Sequence, residues 1–230
     1  MDKIQVVSIK DKRYPEALKK IPRAPKKLYF KGKLLPNEKC FAIVGTRLCT
    51  SYGEKAATKI AEDLTEKNFT IVSGLATGID TYSHLAVVKK RKRTIAVLGT
   101  GIDEKSIYPK SNIELSRKIL ETGGCLISEY PPGSKGSKFT FPERNRIISG
   151  LSVGVLVIEA KQKSGALITT NWAKKQGVQV FALPGSIYSL NSKGCHHLIK
   201  NGAKLIENSD DILEQLKTTQ EQQSFFTKKQ

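Results

Sequence analysis

The sequence predicts an α/β fold: an extended Rossmann-like, doubly wound, mostly parallel sheet with helices on both faces. Three observations lead there. Short apolar runs rich in β-formers recur from residue 39, at 40–44, 70–73, 94–98, 125–128, 153–158 and 178–183. Amphipathic stretches separate them, near 53–67, 79–91, 111–122, 143–150, 166–176 and 193–201. The runs are apolar throughout rather than alternating, as strands covered on both faces require. Strands alternating with helices of ~10–15 residues form right-handed βαβ units.

Residues 1–38 differ from this pattern. Tyr14-Pro15-Glu16-Ala17-Leu18 starts a short helix, and Leu28-Tyr29-Phe30 reads as a strand leading to a turn at Lys31-Gly32. They are expected as a small helix and strand extension packed on the core. Residues 39–216 form the main domain. Residues 217–230 are polar, rich in Gln, Lys and Thr, and are expected to be a frayed tail. There is no internal repeat and no folded C-terminal module in the pattern.

Several strands end in small residues just before a helix: Gly45-Thr46-Arg47, Ser73-Gly74-Leu75-Ala76-Thr77-Gly78 and Gly99-Thr100-Gly101. In an open α/β sheet such turns gather at the carboxyl edge, where ligands bind. Glycine also serves tight turns for geometry alone. Three such turns on one edge of a basic protein point to an anion site.

Charge supports a polyanionic partner. The 230 residues carry Lys+Arg 39 against Asp+Glu 21, a net charge of +18, and such an excess favours phosphate contacts and counterion release. The four cysteines, Cys40, Cys49, Cys125 and Cys195, show no C-x-x-C spacing. They read as reduced thiols, not as a disulfide frame or zinc site. Cys195-His196-His197 are consecutive, so their side chains diverge and cannot easily converge on one ion. No metal and no cofactor are expected. The N-terminus has no apolar signal core, and no apolar run reaches the ~18 residues of a membrane span. The expectation is a cytoplasmic protein with no membrane partner.

The densest functional signal is Phe141-Pro142-Glu143-Arg144-Asn145-Arg146, which opens a helix after the loop Gly133-Ser134-Lys135-Gly136-Ser137-Lys138. Flexible backbone, cations and an aromatic face meet there, as a segment that grips a nucleic-acid backbone and stacks a base requires. Phe141 is open between stacking a base and stapling its helix. Arg144 and Arg146 stand two apart and cannot share a helix face. One is expected to reach a ligand and the other to tie the helix to the core. Arg47 leaves a strand at the carboxyl edge, where a guanidinium can fork onto phosphate or hold the turn by a salt bridge. Lys163 precedes Ser164-Gly165 at another βα turn of the same edge. The run Lys89-Lys90-Arg91-Lys92-Arg93 ends a helix just before a strand, hence at the opposite edge, and reads as a solvated patch. Trp172 is placed in the core, and Tyr108 and Tyr188 are undecided.

Enzyme signatures are weak. No G-x-x-x-x-G-K-[ST] or G-x-S-x-G occurs, and Gly74-x-x-x-Gly78 lacks the full dinucleotide fingerprint. Asp80 is misplaced for a ribose clamp and is expected to orient its own loop. His84 sits mid-helix and reads as packing. Glu129 and Glu159 end strands at the active edge, either as a carboxylate pair or as acceptors that hold loops.

Taken in order, these segments resemble the DNA-processing protein A (DprA/Smf) family from about Tyr14 to Leu216. The resemblance is carried by Ala42-Ile43-Val44-Gly45-Thr46-Arg47, Val72-Ser73-Gly74-Leu75-Ala76-Thr77-Gly78-Ile79-Asp80, Tyr108-Pro109, Phe141-Pro142-Glu143-Arg144-Asn145-Arg146, Lys163-Ser164-Gly165-Ala166-Leu167-Ile168-Thr169 and Pro184-Gly185-Ser186. It implies an extended Rossmann fold that binds single-stranded DNA without catalysis, protects incoming strands in natural transformation and helps load the RecA recombinase, generally as a homodimer. By motif match, Arg47 resembles a phosphate-binding arginine, Lys138 the pocket lysine, Phe141 the base-contacting aromatic and Lys163 another basic groove residue. The expected DNA-binding set is Gly45, Thr46, Arg47, Ser73, Gly74, Thr77, Gly78, Lys135, Ser137, Lys138, Phe141, Arg144, Asn145, Arg146, Lys163, Ser164 and Gly165. The N-terminal sterile-alpha-motif-like and C-terminal winged-helix domains of many members have no counterpart in this sequence. The alternative is a nucleotide phosphoribohydrolase (lysine-decarboxylase-like) on a related core, acting through Glu159 or Glu129. Its P-G-G-x-G-T-x-x-E signature is absent. A third reading is a scaffold for a recombinase, with the charge serving solubility.

Overall fold

In the computed structural model, residues 3–227 are described, with side chains described as far as Thr218. Nine strands form one mixed, mostly parallel sheet: β1 (Gln5–Ser8), β2 (Lys27–Gly32), β3 (Cys40–Val44), β4 (Thr70–Ser73), β5 (Thr94–Leu98), β6 (Cys125–Ser128), β7 (Ser152–Val157), β8 (Gln179–Ala182) and β9 (Lys204–Leu205). The helices are α1 (Glu16–Lys19), α2 (Ser51–Glu66), α3 (Ile79–Lys89), α4 (Ile113–Glu121), α5 (Thr140–Leu151), α6 (Ala166–Lys175), α7 (Lys193–Lys200) and α8 (Ser209–Thr227). The six core strands fall where the apolar runs place them. The two-residue β9, the mostly exposed β1 and the polar α8 carry too little apolar pattern to be read in advance. The segment expected as a frayed tail lies in α8 as far as Thr227, and residues 228–230 lie outside the described residues.

The spatial order is β1-β2-β6-β5-β4-β3-β7-β8-β9. From β3 the chain winds outwards through β4, β5 and β6, then returns to place β7 on the other side of β3 and continues to β8 and β9, all in parallel pairs. The order therefore reverses between β3 and β7, and the turns after these two strands splay apart around a crevice. The N-terminal extension adds β2 antiparallel to β6, and β1 antiparallel to β2.

Alternate residues of each strand feed opposite layers, which explains the unbroken apolar runs. Cys40, Ala42 and Val44 join one core with Ile147, Leu151, Ala173 and Leu198 from α5, α6 and α7. Phe41 and Ile43 join the other, with Ile60 and Leu64 of α2 and Val87 of α3. The N-terminal extension is part of the first core: Tyr14 and Leu18 are fully buried, and the Tyr14 hydroxyl donates to Pro25 O at 2.7 Å. Trp172, expected in the core, is only partly buried on α6, with Lys175 Nζ 5.2 Å from its ring centre.

His84 is a core residue. Its Nδ1 lies 2.8 Å from Thr94 Oγ1, and burial, with a smaller contribution from the Arg144 charge, pushes the imidazole down to about 3. The unfolded side chain titrates near its ordinary value of 6.5. Between these values the unfolded chain binds the extra proton, so this contribution to stability is full above 6.5 and is lost as pH falls towards 3. His84→Gln should therefore flatten the acid limb of a denaturant-midpoint profile against pH. An acid limb as steep as in the wild type would contradict the assignment.

Candidate nucleic-acid interface

The crevice at the strand-order reversal holds a chamber of about 390 Å³. Gly45, Thr46 and Arg47 line it from the turn after β3, and Lys163, Ser164 and Gly165 from the turn before α6. Lys161, which the sequence reading missed, stands with them. The two turns are joined directly: Thr46 N donates to Glu159 O at 2.7 Å. The N-termini of α2, α3, α5 and α6 all lie at this carboxyl edge, with their dipoles and free N–H groups turned towards anions. A second chamber, about 720 Å³, is lined by Lys135, Ser137 and Lys138 of the glycine-rich loop and by Lys105 and Lys110. Both volumes fall within the ~300–1,000 Å³ of ordinary ligand sites. Arg47 and Phe141 line both chambers.

Local chemistry builds this shared wall. Ser137 Oγ accepts from Phe139 N at 3.2 Å and from Thr140 N at 3.1 Å, which turns the lysine loop into α5 and puts Phe141 in the helix's first turn. Gly136 makes room for the ring, since a Cβ there would overlap Phe141. Gly78, at φ +73°, lets the start of α3 abut the Arg47 turn, where a Cβ would overlap the Thr46 carbonyl. Arg47 is exposed, makes no ion pair among the described residues, and holds its Cζ 5.7 Å from the Phe141 ring centre. A cation over a ring without a carboxylate partner stays available to a phosphate.

The two arginines of α5 are both buried, with different roles. Arg144, 6% exposed, lines the first chamber and donates from Nη1 to Gly74 O at 2.8 Å and to Val97 O. Burial draws its guanidinium down to about 10, against the opposing influence of Asp80, so it remains charged at neutral pH. Arg146 stood in the expected DNA-binding set and is instead the arginine that ties the helix to the core. Its Nη2 donates to Glu129 Oε1 and Oε2 at 2.7 and 2.8 Å, and its Nε lies 2.9 Å from Glu143 Oε1. With its cation committed to two carboxylates and 3% exposure, Arg146 ties α5 to the end of β6 and lines neither chamber.

Ser73 and Gly78 also lie outside the two chambers. Ser73 is fully buried and donates to Ile43 O at 2.7 Å, so it joins β4 to β3. Gly74 and Thr77 border a notch between the chambers. Asn145 lines the first chamber and donates to Gly165 O at 3.3 Å, which joins α5 to the α6 turn. Asp80 orients its loop, accepting from Gly74 N at 3.0 Å and Ala76 N at 3.3 Å. Glu159 likewise holds a loop: its carboxylate accepts from Thr50 N at 2.9 Å and Thr50 Oγ1 at 2.7 Å. Both candidate catalytic carboxylates, Glu129 and Glu159, are thus engaged by the protein itself. The basic run 89–93 sits where α3 turns into β5, at the amino edge. Two of its cations are paired there, Lys90 with Glu66 and Arg93 with Glu38.

A family model described as DNA recombination-mediator protein A matches residues 5–217. The chain belongs to that family. The DNA processing protein DprA of Streptococcus pneumoniae is 47% identical over 207 residues, 90% of this chain and 72% of the relative. Its crystal structure superposes with a TM-score of 0.85, over 92% of this chain and 74% of that one. DprA of Bacillus subtilis is 44% identical over 215 residues, 93% of this chain and 71% of its own. The DNA processing protein A of Helicobacter pylori, whose structure describes a single-stranded DNA binding mode, is 29% identical with a TM-score of 0.82, over 95% of this chain and 99% of that one. Among the described residues no helix is long and apolar enough to cross a membrane.

The different roles of Arg47 and Arg146 predict opposite mutational outcomes. Arg146→Met strands Glu129 and leaves Glu143 only the exposed Arg23, at 3.1 Å, and both carboxylates keep about a quarter of their exposure. It should cost about 2–3 kcal/mol, below the usual cost of breaking a fully buried pair. Arg47→Ala should change stability by less than about 0.5 kcal/mol. Denaturant midpoints check both, and equal losses would contradict the division of labour.

Proposed function

We propose that this protein is a non-catalytic, sequence-tolerant binder of single-stranded DNA that holds the strand along the carboxyl edge of its sheet. One observation carries the reading. The unpaired cation of Arg47 rests on the ring of Phe141, and these two residues form the wall common to both basic chambers. A phosphate at Arg47 and a base against Phe141 meet the two requirements of single-strand binding, charge along the backbone and a flat face for a base. Lys138 and Lys135 on one side, with Lys161 and Lys163 on the other, extend the positive track. The single-strand binding described for the Helicobacter pylori relative supports the same assignment.

Within that role we place protection of incoming strands during natural transformation, handover to the RecA recombinase and action as a homodimer in the cytoplasm. The family's description as a recombination mediator supports the handover. Exposed Leu48, Ile187, Tyr188 and Leu190 offer apolar surface beside the groove for a protein partner.

Binding of a labelled oligo-dT, followed by fluorescence anisotropy across a salt series with duplex competitor, tests the reading. Log affinity should fall steeply with log salt, by ~0.7 per phosphate neutralised. Arg47→Ala and Lys138→Ala should each weaken all sequences alike and reduce the slope by about one contact. Wild-type affinity in both variants at moderate salt would refute the site.

A further inference from the structure

Tyr108 is one of the two aromatic residues that the sequence left undecided, and the one that packs against Phe141. It belongs to neither the glycine-rich turn nor the helix that carries Phe141. Its side chain is 53% exposed, and its hydroxyl makes no hydrogen bond among the described residues. Its ring centre lies 5.7 Å from that of Phe141, with the planes at 45°. Arg47 Cζ is 5.7 Å from the same Phe141 centre. Arg47, Phe141 and Tyr108 therefore form a continuous ridge across the groove. Arg47 and Phe141 line both chambers and Tyr108 lines the larger one beside them, and all three border a notch of about 70 Å³ together with Thr77, Pro109 and Arg144.

We propose that Tyr108 is a second stacking residue, and that the strand crosses this ridge with one unpaired base held against the Phe141–Tyr108 pair. The inference rests on the single-strand reading above and names the part of the strand that the site selects. An exposed, unanchored phenol contributes little to the fold, and a neutral ring cannot hold a phosphate as a lysine does. Its face is what it offers. A base inside a duplex has both faces covered by its neighbours, so a stacking ridge favours unpaired bases over paired ones. Every base has such a face, so the selection is for unpaired bases and not for sequence. With Lys135 and Lys138 in one chamber and Lys161 and Lys163 in the other, the phosphates flanking the bound base meet cations on both sides.

The test compares oligo-dT with an oligonucleotide of equal length that carries abasic sites, for the wild type, Tyr108→Ala and Tyr108→Phe, across a salt series. The wild type should prefer oligo-dT. Tyr108→Ala should weaken oligo-dT binding roughly ten- to hundredfold, shrink the preference over the abasic strand and leave the salt slope unchanged. Tyr108→Phe should retain both affinity and preference. Thermal melting of the variants guards against a folding defect, which exposure at position 108 makes small. Tyr108→Ala with the wild-type preference would overturn the ridge while leaving the single-strand site intact. An equal loss in both variants would also overturn it, since the ring face would then not be the contact. A wild-type protein that binds neither strand at low salt would refute the single-strand reading, and the ridge with it.

Discussion

The carboxyl edge depends on one buried cation. Arg144 reaches from the first turns of α5 to the carbonyls that end β4 and β5, Gly74 O and Val97 O. An isolated charge removed from water costs several kcal/mol, and it is tolerated only where hydrogen bonds and an opposite charge surround it. Asp80 is the buried countercharge. Burial raises its carboxyl above the ordinary range, while the Arg144 charge and the backbone N–H groups of Ala76 and Gly74 pull it back. Asn112 completes the enclosure, donating to Leu75 O at 2.9 Å and to Ala76 O at 3.2 Å. The 74–78 loop and the start of α5 are consequently fixed relative to each other.

That constraint positions the ligand-facing residues. Phe141 stands three residues before Arg144 on the same helix, a spacing that puts both on one face. With Arg144 anchored to the strand ends, Phe141 has to lie at the mouth of the groove, where Gly136 leaves space for its ring. Arg47 comes from the turn after β3, held by Thr46 N to Glu159 O at 2.7 Å, and so meets Phe141 from the opposite side. The fold thus spends its buried charges on geometry and leaves its exposed ones for a ligand. Arg144 with Asp80, and Arg146 with Glu129 and Glu143, hold the frame. Arg47, Lys138 and Lys163 stay open to solvent.

The sequence showed the six core strands and the edge that carries the site, because doubly covered strands are apolar throughout and βα turns are rich in glycine. It did not show which turns face each other. The pairing of the β3 turn with the segment after β7 follows from strand order, which local pattern does not encode. That Arg144 and Arg146 take different partners follows from their spacing, since residues two apart diverge. Which of them faces the groove depends on where Gly74 O and Glu129 lie, and that is long-range information. Ser73 and Gly78 have the composition of ligand-binding turns, yet they serve the frame. Tyr108 was left undecided and Lys161 went unread because each lies on an irregular segment whose course only the tertiary structure fixes.

The most direct test of the account is hydrogen–deuterium exchange with and without oligo-dT, because it reports which edge of the sheet the strand covers. Residues 45–48, 135–141 and 161–165 should be slowed together by the bound strand, with 89–93 at the amino edge unaffected. Protection confined to 89–93, with the carboxyl edge unchanged, would mean that this protein holds nucleic acid through its basic turn and that the groove serves something else.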